Sequence, residues 1–490
     1  MSARDESDFI AAMNAAPDDD VPRLVFADWI AEKGDAARAE FIRLQLQRQA
    51  LPTWDPQQLP LYIREQKLLE QHKSEWRSAL PTIDGVAWGT FRRGFISSAT
   101  ITNLEGFSSL IHQCRRSAPI DSVTINWPDP NGHFDDPLPI DGLHELTLSD
   151  TPYLDTEQIN VIAWSPVLVT IEKLHFGPCN LSADGIHTLL QSSHLGQLKS
   201  LDVSSNSIGN NGLEAIIGSL TSLEALDVSE QESYSRYEED PVIDESGIMS
   251  LVDWPGFRTL RSLNLSGNTI GSSGLHALLQ TENCTGLKCL RLRDTDLSGA
   301  SMEAFERAHG DLRLETLDLG ENYLSNVGAG FLAHSNCLGE LKTLNLDRCE
   351  LDGMSGGRLA DSPLFYSIRK LNLNDNPLGA AGLNAILERE PEHLHTLQAA
   401  NIDRFAELVA YIAYSNATQN LQALDLSSNG LGKEAIETLC EAGNFPNLLV
   451  LRLDHNFSTA LMDKLMQSPL WNQLVNVESS DDGIPFERER

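Results

Sequence analysis

Leu260-Arg-Ser-Leu263-Asn-Leu265-Ser-Gly-Asn268-Thr-Ile270 is echoed by Leu198-Lys-Ser-Leu201-Asp-Val203-Ser-Ser-Asn206-Ser-Ile208 and by Leu314-Glu-Thr-Leu317-Asp-Leu319-Gly-Glu-Asn322-Tyr-Leu324. From Leu260 through Leu287, Leu314 and Leu341 to Ile368 the step is 27 residues each time, and it is 27 again from Leu421 to Leu448. Further copies begin at Ile171 and Leu223, and weaker ones at Ile96, Ile120, Leu143, Leu394 and Leu474. A fixed period of this length is the mark of a repeat array, which grows without a single central core and so accommodates a chain of 490 residues.

The spacing within one repeat dictates its local structure. Apolar residues at repeat positions 1, 4 and 6 turn inward from a short strand, while positions 3 and 5 face the other way. Position 9 holds Asn206, Asn268, Asn322, Asn376, Asn429 or Asn456, whose amide can satisfy backbone groups where the chain leaves the strand. Cys179 and Cys349 fill the same slot as small buryable residues. Gly274-Leu275-His-Ala-Leu278-Leu279 and Gly382-Leu383-Asn-Ala-Ile386-Leu387 then carry the i, i+3, i+4 apolar spacing of a helix packed back on the strand.

The 27-residue step, the Asn or Cys at position 9 and the helical back half resemble the ribonuclease-inhibitor-like class of leucine-rich-repeat proteins over roughly residues 95–478. The resemblance implies an α/β fold, a horseshoe-shaped solenoid with a parallel sheet on its concave side and helices on its convex side. Two departures stand out. The repeat starting at Leu223 carries an insertion from Glu230 to Asp244, and the repeat at Leu394 loses the motif at Ala399 and Ile402, which predicts a local irregularity.

Residues 1–80 lack the repeat and read as a small all-α domain, leaving 81–478 for the solenoid and 479–490 for a polar tail. Phe9, Ile10 and Met13 predict a first helix, and Pro17 to Asp20 a turn. Pro22 opens a second helix, Gly34 follows its end, and further helices are expected over 37–50 and 57–79. The string Arg23-Leu-Val-Phe-Ala-Asp28-Trp29-Ile-Ala-Glu32-Lys-Gly34-Asp35, then Arg38-Ala-Glu40-Phe41-Ile-Arg43, resembles the repeat-companion domain at the N-terminus of planctomycete repeat proteins. Phe91-Arg-Arg-Gly94-Phe95 resembles the joint that follows it, and the likeness implies a bacterial origin. Asp28, Trp29, Glu32, Asp35, Arg38 and Glu40 could be a binding or acid–base cluster; the simpler reading is an amphipathic core with helix-end charges and local ion pairs.

The net charge is −34, of which residues 1–100 hold only −3, so the acidity belongs to the repeats. Such a field repels phosphate backbones and anionic lipid heads, which argues against nucleic acid and membrane as partners and allows a protein with a basic patch. The N-terminus lacks the basic-then-apolar pattern of a secretion signal, and no apolar run approaches ~18 residues, so a cytoplasmic protein is expected. Seven scattered cysteines form no paired framework and read as reduced thiols.

Phosphate-loop, zinc-protease and nucleophile-elbow motifs are missing, so neither catalysis nor a cofactor is expected. The histidines His144, His175, His393 and His395 lie at scattered repeat positions and read mostly as surface residues. The outward face of the sheet is the informative surface, because solenoids commonly bind there. Asp202, Asp227, Arg291 and Asp318 stand at position 5, and Arg293, Asp294, Glu321, Asp347, Arg348 and Asp375 at positions 7 and 8. These rows read either as a docking surface or as an intramolecular charge ladder. Tyr234 and Tyr237, in the acidic insertion, offer a second contact. The expected function is a protein–protein interaction scaffold. The alternative is a GTPase-activating regulator of the Ran-GTPase-activating kind, working through a repeat-borne arginine such as Arg291 or Arg348.

Overall fold

The computed structural model describes residues 3–102, 106–126, 140–149, 154–231, 242–402, 407–441, 444–456 and 464–475. The chain divides into two compact units, Met1–Val242 and Ile243–Arg490.

The first unit opens with four helices, α1 (Ala3–Ala15), α2 (Val21–Glu32), α3 (Ala36–Ala50) and α4 (Gln58–Ser78). Their core is aromatic: Phe26 lies within 5.5 Å, centroid to centroid, of Phe9, Trp29 and Phe95. The charges at the helix ends are used locally. Asp35 caps α3 by accepting the Arg38 N–H at 2.9 Å, Arg43 pairs with Asp28 and Arg64 with Glu40. The Arg38 guanidinium lies over the rings of Trp76 and Phe91, and burial lowers its pKa to about 10.

The joint at 91–95 fastens these helices to the first repeats. Arg93, buried and left-handed at φ 52°, donates to Asp20 and to the carbonyls of Pro17 and Asp18 in the α1–α2 turn. Gly94 takes φ +87° and passes so near α3 that a Cβ would lie 2.7 Å from the Ile42 Cα. Its N–H donates to Gln45 Oε1 at 2.6 Å, and Gln45 Nε2 donates in turn to Glu65. Asn14 and Arg115 exchange hydrogen bonds that tie α1 to the helix Phe107–Ser117.

Val86–Trp88 pairs antiparallel with Ser98–Ile101, and from there the strands of the first unit run parallel through Ser122–Asn126, Glu145–Ser149, Lys173–Phe176, Ser200–Asp202 and Ala225–Asp227. The second unit continues the pattern from Ser262–Asn264 to Val450–Arg452, every neighbour parallel and paired at equivalent repeat positions. Leu263, Leu290 and Leu317 at position 4, with Leu265, Leu292 and Leu319 at position 6, are fully buried. Helices such as Gly271–Gln280, Ser325–Ala333 and Gly353–Ala360 return from strand to strand. The fold is thus the α/β leucine-rich-repeat architecture, preceded by a helical region.

Position 9 works across repeats. Asn322 Oδ1 accepts from the N–H groups of Thr295 and Leu297 in the preceding repeat, and its Nδ2 donates to the carbonyls of Leu292, Leu319 and Gly320. Asn206 and Asn376 do the same in their own places. Gln231 fills the slot at the start of the insertion, accepting from the Ile208 N–H.

The repeat at Leu394 is irregular in its length, not in its pairing. Its strand Thr396–Gln398 is in register on both sides, so the sheet is unbroken, and the change is a step of 26 residues between paired strands instead of 27. Asn429 accepts the Ile402 N–H, supplying from the next repeat what that turn needs. The strand positions after Leu474 and the tail 479–490 lie outside the described residues.

Candidate interaction surface

On the outward face, position 5 has a local duty that its charge conceals. Asp318 Oδ1 accepts the Gly320 N–H at 2.9 Å, Asn345 that of Asp347 at 3.1 Å, Asn372 that of Asn374 at 3.0 Å and Asp425 that of Ser427 at 2.9 Å. In the first unit Asp202 and Asp227 take the N–H groups of Ser204 and Ser229. A short Asp or Asn here closes a turn over the end of each strand, a hydrogen bond that longer side chains do not reach. Burial raises the pKa of both Asp318 and Asp425, as expected for carboxylates packed into such a turn. Arg291 stands half-buried in the same row.

Position 7 carries a two-pronged, largely buried ion pair. Arg293 reaches Asp347 with both Nη atoms, at 2.5 and 2.8 Å, and Glu321 with Nη2 at 2.7 Å. The side chains of Arg293 and Asp347 are 16% and 8% exposed, so the pair is largely removed from solvent screening. Burial acts against the guanidinium charge, but the hydrogen bonds and charge of Asp347 outweigh it and raise the Arg293 pKa.

Position 8 is left-handed throughout the second unit: Asp294, Glu321, Arg348, Asp375, Asn401, Ser428 and His455 all have φ between 50° and 59°. Side chains pay ~1–2 kcal/mol for this conformation, which the inter-strand ladder enforces, as where the Glu321 N–H donates to the Asp347 carbonyl at 2.8 Å. Arg348 donates to Glu321 and to Asp375, and Asp375 also accepts from Asn401 at 2.9 Å. The sequence-derived residues Arg293, Glu321, Asp347, Arg348 and Asp375 therefore meet in one network, while Asp294 is exposed beside it.

Asp202 sits apart, in the first unit, where His175 Nδ1 lies 2.6 Å from its Oδ2. The hydrogen bond to Asp202 raises the His175 pKa above its ordinary value, against the effect of burial. His395 is 5% exposed, so it and His175 are not the simple surface residues expected. Tyr234 and Tyr237 lie outside the described residues.

None of the seven cysteines forms a disulfide, and burial pushes the Cys179 thiol up to about 12, which keeps it protonated. Among the described residues no cluster of three or more His, Cys, Asp or Glu is arranged to hold a metal ion, and no helix is long and apolar enough to cross a membrane.

The family described as Leucine Rich repeat matches residues 198–216, 258–279, 367–387 and 418–440, each a strand and its following helix. No curated protein matches the chain. Among solved structures, a chain of the crystal structure of the Rad7 and Elc1 complex in yeast is similar at 15% identity and a TM-score of 0.40, over 70% of this chain and 80% of that one.

Proposed function

We propose that the chain is a non-enzymatic scaffold that binds a protein bearing a basic patch, docking it on the outward sheet face of the second unit. One observation carries this reading: the face holds its ionised side chains in a fixed network, with the carboxylates of Asp294 and Asp375 left at its exposed margin. Charges held in place by neighbours cost little entropy when a partner arrives, and the −34 field draws a cationic surface toward them. Tyr234 and Tyr237 would add a second contact. The GTPase-activating alternative gains nothing from Arg348, which Glu321 and Asp375 already engage.

The helical domain at 1–80 and the tail at 479–490 frame the repeats in this reading, and the 27-residue step supports the ribonuclease-inhibitor-like class. A bacterial, cytoplasmic setting goes with it. The test is a photo-crosslinker placed at residue 372, half-buried on the face, and at residue 384 on a helix. The reading expects one protein crosslinked in native cells from residue 372 and not from 384. The reverse pattern would overturn it.

A further inference from the structure

Where strands turn into helices in the second unit, three large apolar side chains stand in solvent: Tyr323 at 64% exposure, Val327 at 46% and Met354 at 62%. They belong to two adjacent repeats. Tyr323 lies in the turn two residues before Ser325–Ala333, Val327 in the first turn of that helix, and Met354 holds in Gly353–Ala360 the place that Val327 holds 27 residues earlier. The two helices pack closely enough that a Cβ on Gly330 would lie 2.9 Å from Arg358 Nη1. A cluster of apolar side chains this exposed is the usual mark of an interaction surface.

Its rim is acidic. Asp296 and Glu350 occupy the repeat position of Tyr323 on either side, about 5 Å away along the sheet. Both are exposed, both are left-handed at φ 56° and 55°, and among the described residues neither forms an ion pair, nor does Asp294 nearby. Arg348 does not neutralise the rim, since Glu321 and Asp375 hold it.

We propose that Tyr323, Val327 and Met354 form a docking surface for a basic peptide segment, in which an apolar side chain seats on the patch and flanking Lys or Arg residues meet Asp296 and Glu350. A tyrosine and a methionine supply adaptable contact area, and the unpaired carboxylates select cationic flanks. This deepens the scaffold reading and rests on it for the class of partner, but it names a different surface.

The probe is a synthetic twelve-residue peptide alternating Lys or Arg with Leu and carrying a central benzoylphenylalanine, with two controls in which Ser replaces Leu or Gln replaces Lys and Arg. Added to the full-length protein, the probe should crosslink to the peptide containing Met354 and bind about tenfold more tightly than either control. Tyr323→Ser with Met354→Ser should weaken it by a similar factor, and Asp296→Asn with Glu350→Gln should remove most of its salt dependence. All four side chains are exposed, and an unchanged melting curve confirms that the variants fold. Crosslinks confined to residues 372–375, with Tyr323→Ser without effect, would overturn this proposal and leave the sheet-face reading standing. Concentration-dependent self-association abolished by Tyr323→Ser would overturn it in favour of a second copy of the chain.

Discussion

Arg293 and Asp347 are 54 residues and two repeats apart, yet they form a two-pronged ion pair that crosses directly over Gly320. A Cβ at Gly320 would lie 2.3 Å from Arg293 Nη1 and 2.4 Å from Asp347 Oδ1, so a side chain at position 7 of the intervening repeat would have to displace the pair. Three consecutive repeats are thereby specified together. The acidic face is thus part of the fold as well as a surface.

Asp347 should consequently not behave as a surface charge. Asp347→Leu leaves a largely buried guanidinium without its main partner and should cost about 3 kcal/mol or more, whereas Arg293→Met with Asp347→Leu should cost clearly less. Urea unfolding of the two single variants and the double variant checks this, and additive losses would mean the pair is not coupled.

Asn322 accepts two N–H groups of the preceding repeat and donates to three carbonyls. Asn322→Leu, similar in volume, would leave the buried Thr295 and Leu297 N–H groups without an acceptor at roughly 1–3 kcal/mol each, while the three carbonyls keep other donors, so a loss of a few kcal/mol is expected. A melting temperature equal to wild type would show that the amide does not bridge the repeats.

His175 gives a pH signature. Its pKa is raised in the fold by the hydrogen bond to Asp202, so its contribution is fully present below the unfolded value of about 6.5 and is lost as pH rises through the folded pKa. His175→Gln should therefore destabilise the protein at pH 5.5 and scarcely at pH 9. An NMR titration of the imidazole with its midpoint at or below 6.5 would contradict the pairing.

Gly94→Ala tests how the helices are fastened to the repeats. The substitution forces a Cβ against Ile42 at a positive φ, and should cost more than ~1 kcal/mol while increasing proteolysis between α4 and Ser98. Unchanged proteolysis would mean that the joint carries no strain-sensitive contact.

The repeat was legible because inward positions and helical spacing follow one periodicity along the chain, and Leu260, Leu263 and Leu265 announce it without any knowledge of partners. The turn duty of position 5 was hidden, since Asp318 or Asp425 in an outward slot looks like a solvated charge. The available signal was the small residue two places on, as in Ser204, Ser229, Gly320 and Ser427. Arg293 and Asp347 could not be paired from sequence because the contact skips a whole repeat. Gln231 was obscured by the insertion it falls within, and the Tyr323 patch by the expectation that binding belongs to the sheet face and the insertion.

The most direct test of the scaffold reading is the association rate of the full-length protein with the partner crosslinked at residue 372, measured by stopped flow at low and high salt. Wild type should associate about tenfold faster at low salt, and Asp294→Asn with Asp375→Asn should be slower there and less sensitive to salt. Equal rates for both proteins at both salt concentrations would contradict an acidic docking face.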